Sequence, residues 1–491
     1  MSKTSYKSIF KSTFLFAFVR VFNIFTKIIV NKAVAIFLGT SGLGIIGIYQ
    51  TTISLIATFF GFGISKSAIR DISANTHNIK SLSKIISTTN YLIFITSFLG
   101  SISTIFLSTF LSKWAFGNQE HIYSFMILSI AVFFTILSEG KLAVLTGMRQ
   151  LNYLARASIF GCIFGVSPAI FLYYFFQENG IIPSIILVPL ANYIFSIFYI
   201  KKMNYKKIRL SLKKVLIQGS GMFKMGLSLM YVSLWVFITE YLIKIYISAT
   251  DSIQMVGLFQ AGSTLVMGYF GIITTSMATE YYPRISAIYD KNKELEKEVN
   301  KQSKVGLVIL GPLVILFLLF TPFFVELLYS TEFLQSINYI KYAIFGVIII
   351  ACSNPMGMIL LAKQKSSIFL ISVTLSRLFG ITASVFGYSI LGLKGLGLAY
   401  LCYAIFELIS MKFIMNYFYK IKFETSTMKI MFITLIFCSV AFFIDQLENQ
   451  SFQYMSILSI FLISLLYSWK VIKKEMHINI SQLIKNKIKN V

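Results

Sequence analysis

Long apolar stretches, separated by short polar segments rich in lysine and arginine, recur along the whole chain. A helix needs roughly 20 apolar residues to cross the hydrocarbon core of a bilayer, and most of these stretches have that length. The pattern predicts an all-α integral membrane protein with fourteen transmembrane helices and no room for a sizeable soluble domain. The spans fall near residues 9–38, 40–65, 85–110, 122–145, 157–177, 181–200, 216–248, 254–282, 305–330, 337–362, 367–390, 393–417, 428–446 and 454–470.

The distribution of basic residues predicts the orientation. Of the 44 lysines and arginines, 33 lie in the N-terminus, the tail and alternate loops, and two, Lys113 and Lys394, lie in the opposite loops. Short cytoplasmic loops carry such an excess. We therefore expect both termini in the cytoplasm.

A weak internal repeat divides the chain into two halves. Residues 47–55 resemble residues 257–265 at an offset of 210, and Leu190-Ala191 resembles Leu398-Ala399 at an offset of 208. We predict a six-helix bundle over 1–200, a basic cytoplasmic linker over 201–215, and a second bundle over 216–417. Two more helices follow over 428–470, and a basic tail over 471–491. Parallel repeats of this kind place the substrate path at the interface between the halves.

Composition agrees with a membrane protein and excludes several functions. Hydrophobic residues make up 56% of the chain, charged residues 13%, and the mean hydropathy is +0.77. The net charge of +26 is explained by the orientation rule, so no nucleic-acid partner is implied. The four cysteines all lie in apolar runs without metal-ligand spacing. We expect no metal, no cofactor and no enzymatic activity.

Span 1 carries a cationic stripe inside the predicted membrane region. Arg20, Lys27 and Asn31 fall within about 40° of one another on a helical wheel, and the span contains no acidic residue. A charge near the bilayer centre costs about 2.5–3.5 kcal/mol on insertion scales. Lys32 can reach the interface by extending its side chain, but Arg20 lies close to the middle. We expect the stripe to line a cavity.

Other polar residues in the spans have a structural and a functional interpretation. Glu240 and Lys244 in span 7 are spaced for a helical ion pair, which is either self-neutralising or part of a site. Lys224 lies near the cytoplasmic end of the same span. Gln50 and Gln260 occupy matching repeat positions and either join helices or line a cavity. In the second half, Arg377 and Glu407 are expected to pair.

The sign of the buried charge favours an anionic ligand. The candidate binding residues are predominantly cationic, and Arg in particular binds phosphate oxygens through charge-assisted hydrogen bonds. The full set is Arg20, Lys27, Asn31, Gln50, Lys224, Glu240, Lys244 and Gln260.

The segment from Asn31-Lys32 through Gly39 and Ser41-Gly42-Leu43 to Gly47 and Gln50 resembles the opening of the Wzx family of polysaccharide flippases. The likeness is to the branch with enterobacterial common antigen and O-antigen flippases, in the multidrug/oligosaccharidyl-lipid/polysaccharide exporter superfamily. It implies two bundles, as in drug exporters of the MATE type.

The same resemblance implies a function. The protein would move undecaprenyl-diphosphate-linked oligosaccharide from the cytoplasmic to the periplasmic leaflet of the bacterial inner membrane by alternating access. Its partners would be the lipid bilayer and other polysaccharide-assembly proteins. The resemblance places cations of span 1, here Arg20 and Lys27, on the diphosphate. Two alternatives stay open. A drug antiporter of the same fold would need an acid in the first spans, and a membrane glycosyltransferase would need a large loop or catalytic carboxylates.

Overall fold

The computed structural model describes residues 3–76, 78–203, 208, 210–363, 366–447 and 450–475. The side chains before residue 21, except that of Val19, and those of residues 212, 366, 450 and 475 lie outside the description. The described residues form helices and short turns. The helices are α1 (Lys3–Gly61), α2 (Ile64–Ala74), α3 (Ile79–Phe116), α4 (Ile122–Gly147), α5 (Leu151–Phe176), α6 (Ile181–Ile200), α7 (Leu212–Thr250), α8 (Ile253–Ser263), α9 (Phe270–Ser286), α10 (Asn292–Leu319), α11 (Thr321–Leu328), α12 (Ile337–Ala362), α13 (Ser366–Tyr419), α14 (Thr425–Ile444) and α15 (Gln450–Glu475).

Eleven helical stretches in the described part of the chain are long and apolar enough to cross a membrane. Three of them, Val21–Gly61, Leu151–Ile200 and Ser367–Tyr419, contain 41, 50 and 53 residues, about twice the length of one crossing. Two crossings in each would give the fourteen predicted spans, and that number stays a prediction. The all-helical membrane architecture is confirmed.

The breaks in these long helices lie where the sequence predicts tight joins between spans. Gly39 has φ +63° inside α1, and Gly392 has φ +57° inside α13. Glycine adopts this left-handed conformation without the steric cost that a Cβ atom imposes. A short 3₁₀ turn, Gln177–Gly180, separates α5 from α6.

The chain divides into two compact units. The first contains Met1–Gln260 and Leu328–Glu332, and the second contains Ala261–Leu327 and Phe333–Val491. The first unit therefore includes α7 and most of α8 besides the six spans of the first predicted bundle. The division into repeated bundles with appended helices stays a prediction. Residues 204–207 and 209 of the linker and 476–491 of the tail lie outside the described residues.

Helix α2, most of which lies in the predicted cytoplasmic loop 66–84 between the second and third spans, is an amphipathic helix that packs against α3 and α4. Ile64, Ala68 and Ile72 lie one turn apart and are fully buried, whereas Lys66 and Arg70 are exposed. Ala68 and Ile72 join an apolar core that includes Ile86 of α3 and Val144 and Leu145 of α4. This spacing of three to four residues is the signature of a helix with one buried face, and it is present in the printed sequence.

The second unit is held by charged contacts at the ends of its helices. Arg284 binds Glu298 at 2.8 Å and Glu280 at 3.0 Å, and Lys304 binds Glu424 at 2.8 Å.

The expected ion pair between Arg377 and Glu407 was wrong: no such pair occurs among the described residues. The Arg377 guanidinium instead lies over the Tyr403 ring, 5.2 Å from its centroid, a cation–π contact that satisfies a cation in apolar surroundings.

Candidate functional site

One polar cluster in the first unit joins α1 to α7. The ammonium of Lys244 donates three hydrogen bonds: to the Gly47 carbonyl at 3.0 Å, to Thr51 Oγ1 at 2.5 Å and to Glu240 Oε1 at 2.6 Å. A lysine ammonium has three donors, so all three are used. The Lys244 side chain is 1% exposed. Lys244 therefore fastens α7 to the second span at the turn from Gly47 to Thr51.

Glu240 is the acidic member of this cluster, and its ion pair with Lys244 confirms the contact expected from the spacing. Thr51 also donates a hydrogen bond to Glu240 Oε1, at 3.4 Å. Unlike Lys244, Glu240 is 38% exposed. The pair consequently has a buried cationic side and an accessible acidic side.

Lys27, from the middle of the first predicted span, is exposed and lies within electrostatic reach of two helices. Its positive charge interacts electrostatically with the Glu240 carboxylate on α7 and with the Cys162 thiol on α5. Cys162 in turn donates a hydrogen bond to Asn23 Oδ1 of α1 at 3.2 Å. Lys27 therefore lies near neighbouring helices of its own unit, and together with Lys244 it gives the Glu240 carboxylate two nearby cations.

Asn31 and Lys32 make contacts farther along α1. Asn31 Nδ2 donates to the Tyr329 hydroxyl at 3.4 Å, and Lys32 Nζ donates to the Tyr329 carbonyl at 2.5 Å. Tyr329 is fully buried. Lys32 thus binds a backbone carbonyl of a segment almost 300 residues away in sequence. The interfacial position expected for Lys32 stays a prediction, and the contact ties the end of the first span to residues 328–332.

The remaining predicted residues are spread more widely. Gln260 lies against the same turn as Lys244, since a Cβ atom on Gly47 would be 3.0 Å from Gln260 Oε1. Gln50 is exposed one turn beyond Gly47. Lys224 is exposed on α7 but lies about 24 Å along the helix from Glu240 at 1.5 Å per residue. Arg20 belongs to α1, but its side chain lies outside the described ones.

The glycines that bring α1 and α8 together were not predicted from the sequence. A Cβ atom on Gly257 would lie 1.9 Å from the Thr40 carbonyl oxygen, and one on Gly44 would lie 2.2 Å from the Ile253 carbonyl oxygen. The backbones therefore touch directly. Small residues on one face of a helix allow close helix packing in membranes, so Gly44, Gly47 and Gly257 could have predicted this contact. The role of Thr51 depends on tertiary contacts and could not be predicted from the sequence.

A separate pocket of about 450 Å³ lies at the opposite end of α4 from its Gly147 terminus, and it is lined by Tyr49, Glu120, His121, Ser124 and Glu178 among others. The Tyr49 hydroxyl and His121 Nδ1 are 2.8 Å apart. Burial lowers the pKa of His121 from its ordinary value of 6.5, although Glu120 and Glu178 act in the opposite direction. His121 is therefore neutral at neutral pH. The described residues contain no group of three potential metal ligands.

Known proteins match the chain in both sequence and structure. The family described as "Polysaccharide biosynthesis protein" matches residues 33–338. A Shigella flexneri protein named as an O-antigen transporter is 23% identical over 326 residues, which cover 63% of this chain and 74% of that protein. The lipid III flippase of Escherichia coli K12 is 22% identical over 356 residues, which cover 70% of this chain and 83% of the flippase.

Solved structures with the same fold include two kinds of membrane transporter. The lipid II flippase MurJ in an inward closed conformation superposes with a TM-score of 0.71 at 15% identity, over 96% of this chain and all of MurJ. An inward-facing multidrug resistance transporter of the MATE family gives a TM-score of 0.67 at 14% identity, over 82% of this chain and 96% of that one.

These matches and the apolar helices agree with the resemblance identified in the sequence. The named relatives are transporters and flippases and not catalytic enzymes, as expected. The chain belongs to the polysaccharide biosynthesis protein family, and it is a multi-pass membrane protein with the fold shared by MurJ and the MATE transporters.

Proposed function

We propose that this protein is a flippase that moves undecaprenyl-diphosphate-linked oligosaccharide repeat units, of O-antigen or a related surface polysaccharide, across the bacterial inner membrane. Transport runs from the cytoplasmic to the periplasmic leaflet by alternating access. The names of the relatives in Shigella flexneri and Escherichia coli support this class of substrate. The MurJ-like fold supports the same class of movement.

The observation that carries the proposal is the charge of the α1–α7 cluster. Lys244 is fully engaged by Gly47, Thr51 and Glu240, so its charge neutralises Glu240 and leaves Lys27 as an accessible excess cation. A diphosphate carries about two negative charges, and a lysine binds it through charge-assisted hydrogen bonds. Lys27 would hold the diphosphate, and the Glu240–Lys244 pair would hold α7 in position. Gln50, exposed beside the cluster, would bind sugar hydroxyls.

The pairing of Glu240 argues against the α1–α7 cluster as the site of the second candidate, a drug antiporter of the MATE type. A site for organic cations needs an accessible, uncompensated carboxylate. Glu240, although accessible, is paired with Lys244 at 2.6 Å and lies within reach of Lys27. The MATE-like fold is compatible with either substrate, so the chemistry of the site decides between them.

The test is genetic and chemical. We expect a strain that lacks this protein and any redundant flippase to lose surface polysaccharide and to accumulate lipid-linked repeat units on the cytoplasmic side. The wild-type gene on a plasmid should reverse both effects. Normal polysaccharide in the deletion strain, combined with new sensitivity to cationic drugs, would instead support the antiporter.

A further inference from the structure

A second basic site lies in the other unit, where the end of α13 meets the loop before α14. A cavity of about 340 Å³ there is bounded by α10, α12, α13, α14 and the connecting loop. Its polar lining consists of Lys412, Asn416 and Lys422, and no carboxylate lines it. This volume is within the range of small-molecule sites, and its charge selects an anion.

The two ammonium groups are available to a ligand. Within the part of the chain that the structure describes, Lys412 Nζ finds only the sulfur of Met428, a weak acceptor, at 3.7 Å. Lys422 makes no side-chain ion pair among the described residues. The nearby acid Glu424 is already bound by Lys304 at 2.8 Å, and this hydrogen bond lowers the pKa of the Glu424 carboxyl. The lysines therefore have no acidic partner lining the cavity.

The rim of the cavity is preformed by hydrogen bonds to the loop backbone. The Lys422 amide donates to Glu296 Oε2 at 2.9 Å, and the Lys422 carbonyl accepts from Asn300 Nδ2 at 3.0 Å. Asn300 Oδ1 also accepts from the Glu424 amide at 2.8 Å. Because the Lys422 backbone is held by both its amide and its carbonyl, its position in the rim does not depend on a ligand.

The remaining wall identifies the kind of anion. It is apolar and includes Met356, Met415, Met428 and Phe423. A free phosphate would leave this wall uncovered, whereas the acyl chain of a lipid would cover it. Phe413, at the mouth, stacks on Tyr417 at 5.7 Å, and both rings are more than 60% exposed. An exposed tyrosine such as Tyr417 is typical of the headgroup level of a bilayer.

We propose that this cavity binds the phosphate of an anionic glycerophospholipid, with Lys412, Lys422 and Asn416 on the headgroup and the methionines and Phe423 on the first part of an acyl chain. Basic pockets between transmembrane helices on the cytoplasmic side bind such headgroups. The site lies in the unit that does not contain Lys27 and is independent of the transported substrate.

The test measures lipid binding to the full-length protein in neutral detergent by native mass spectrometry. The probes are phosphatidylglycerol, phosphatidylcholine, undecaprenyl phosphate and inorganic phosphate. We expect the protein to bind phosphatidylglycerol in preference to phosphatidylcholine and inorganic phosphate, and we expect binding of undecaprenyl phosphate to be the same in the wild type and in the variants of this cavity. The double variant Lys412→Gln/Lys422→Gln should weaken this binding about tenfold, which corresponds to about 1.4 kcal/mol.

The matched control removes two lysines from the same region that do not line the cavity. Lys420→Gln/Lys429→Gln has the same net charge as the test variant and should bind phosphatidylglycerol as the wild type does. Lys412→Arg/Lys422→Arg should also bind it, which guards against a folding defect. Equal loss in test and control variants, displacement of phosphatidylglycerol by millimolar inorganic phosphate, or a test variant that loses undecaprenyl phosphate instead of phosphatidylglycerol would each overturn the proposal.

Discussion

Replacing Lys244 with methionine tests whether the buried cation holds α7 to the second span. The change removes three hydrogen bonds and leaves Glu240 without its main counter-ion. Breaking a buried ion pair from one side costs about 3–5 kcal/mol, because the other charge remains. Glu240 is 38% exposed, so water recovers part of this loss. We expect Lys244→Met to lower the free energy of unfolding by about 2–3 kcal/mol.

The partner change completes a double-mutant cycle. Glu240→Gln leaves the 1% exposed ammonium of Lys244 with neutral acceptors, and we expect a loss of about 2 kcal/mol. The double variant Lys244→Met/Glu240→Gln leaves no uncompensated charge, so it should be less destabilised than the sum of the single variants. The coupling energy should be about 2 kcal/mol, well above the additive error of roughly 0.5 kcal/mol.

The measurement is equilibrium unfolding of the purified protein by titration with sodium dodecyl sulfate in mixed micelles. Lys224→Met is the matched control, because Lys224 is an exposed lysine on the same helix. It should change the unfolding free energy by no more than about 0.5 kcal/mol. Strictly additive effects of Lys244→Met and Glu240→Gln, or a Lys244→Met variant as stable as the control, would refute the reasoning.

Three further predictions follow from the packing, the pKa of His121 and the charge of the proposed substrate. Gly257→Ala should destabilise the protein by about 1–3 kcal/mol, because its Cβ would be 1.9 Å from the Thr40 oxygen, whereas Gly221→Ala, with open space around it, should be neutral or stabilising in thermal unfolding. Since burial lowers the pKa of His121, the unfolded chain binds a proton first as the pH falls. Wild-type stability should therefore be full above about pH 6.5 and decline below it, and His121→Gln should have a flatter profile; identical profiles would contradict this. Flipping in proteoliposomes should accelerate when an inside-positive potential favours inward movement of the diphosphate, because the electrical free energy is about 2.3 kcal/mol per charge per 100 mV. A flipping rate that valinomycin-clamped potentials do not change would exclude this driving force.

Hydropathy and repeat spacing were sufficient to predict the fold class. In the hydrocarbon core every backbone N–H and C=O group must be hydrogen-bonded within the protein, and long apolar segments satisfy this requirement as helices. The same patterns predicted the joins at Gly39 and Gly392, where φ is positive. The spacing of apolar residues in α2 indicated a buried face. The basic residues Lys66 and Arg70, which are exposed on the opposite face, led instead to the prediction of a loop.

The site was predictable only in part. The pairing of Glu240 with Lys244 follows from local helix geometry, and the structure confirms it. The role of Thr51 and the contact of Lys32 with Tyr329 depend on residues far apart in sequence. Arg377 contacts the Tyr403 ring and not the Glu407 carboxylate. Helix periodicity does not predict which of these two side chains a cation contacts.

The direct test of the proposed function is reconstitution of Lys27→Ala in proteoliposomes with a lipid-linked oligosaccharide on an undecaprenyl diphosphate carrier. Loss of one charge-assisted contact worth about 1.5–3 kcal/mol should slow flipping at subsaturating substrate by roughly tenfold or more. Lys27→Arg should retain most of the activity, and the amount of folded protein should be unchanged. If Lys27→Ala flips the substrate at the wild-type rate, the diphosphate does not bind at the α1–α7 cluster, and the central claim is wrong.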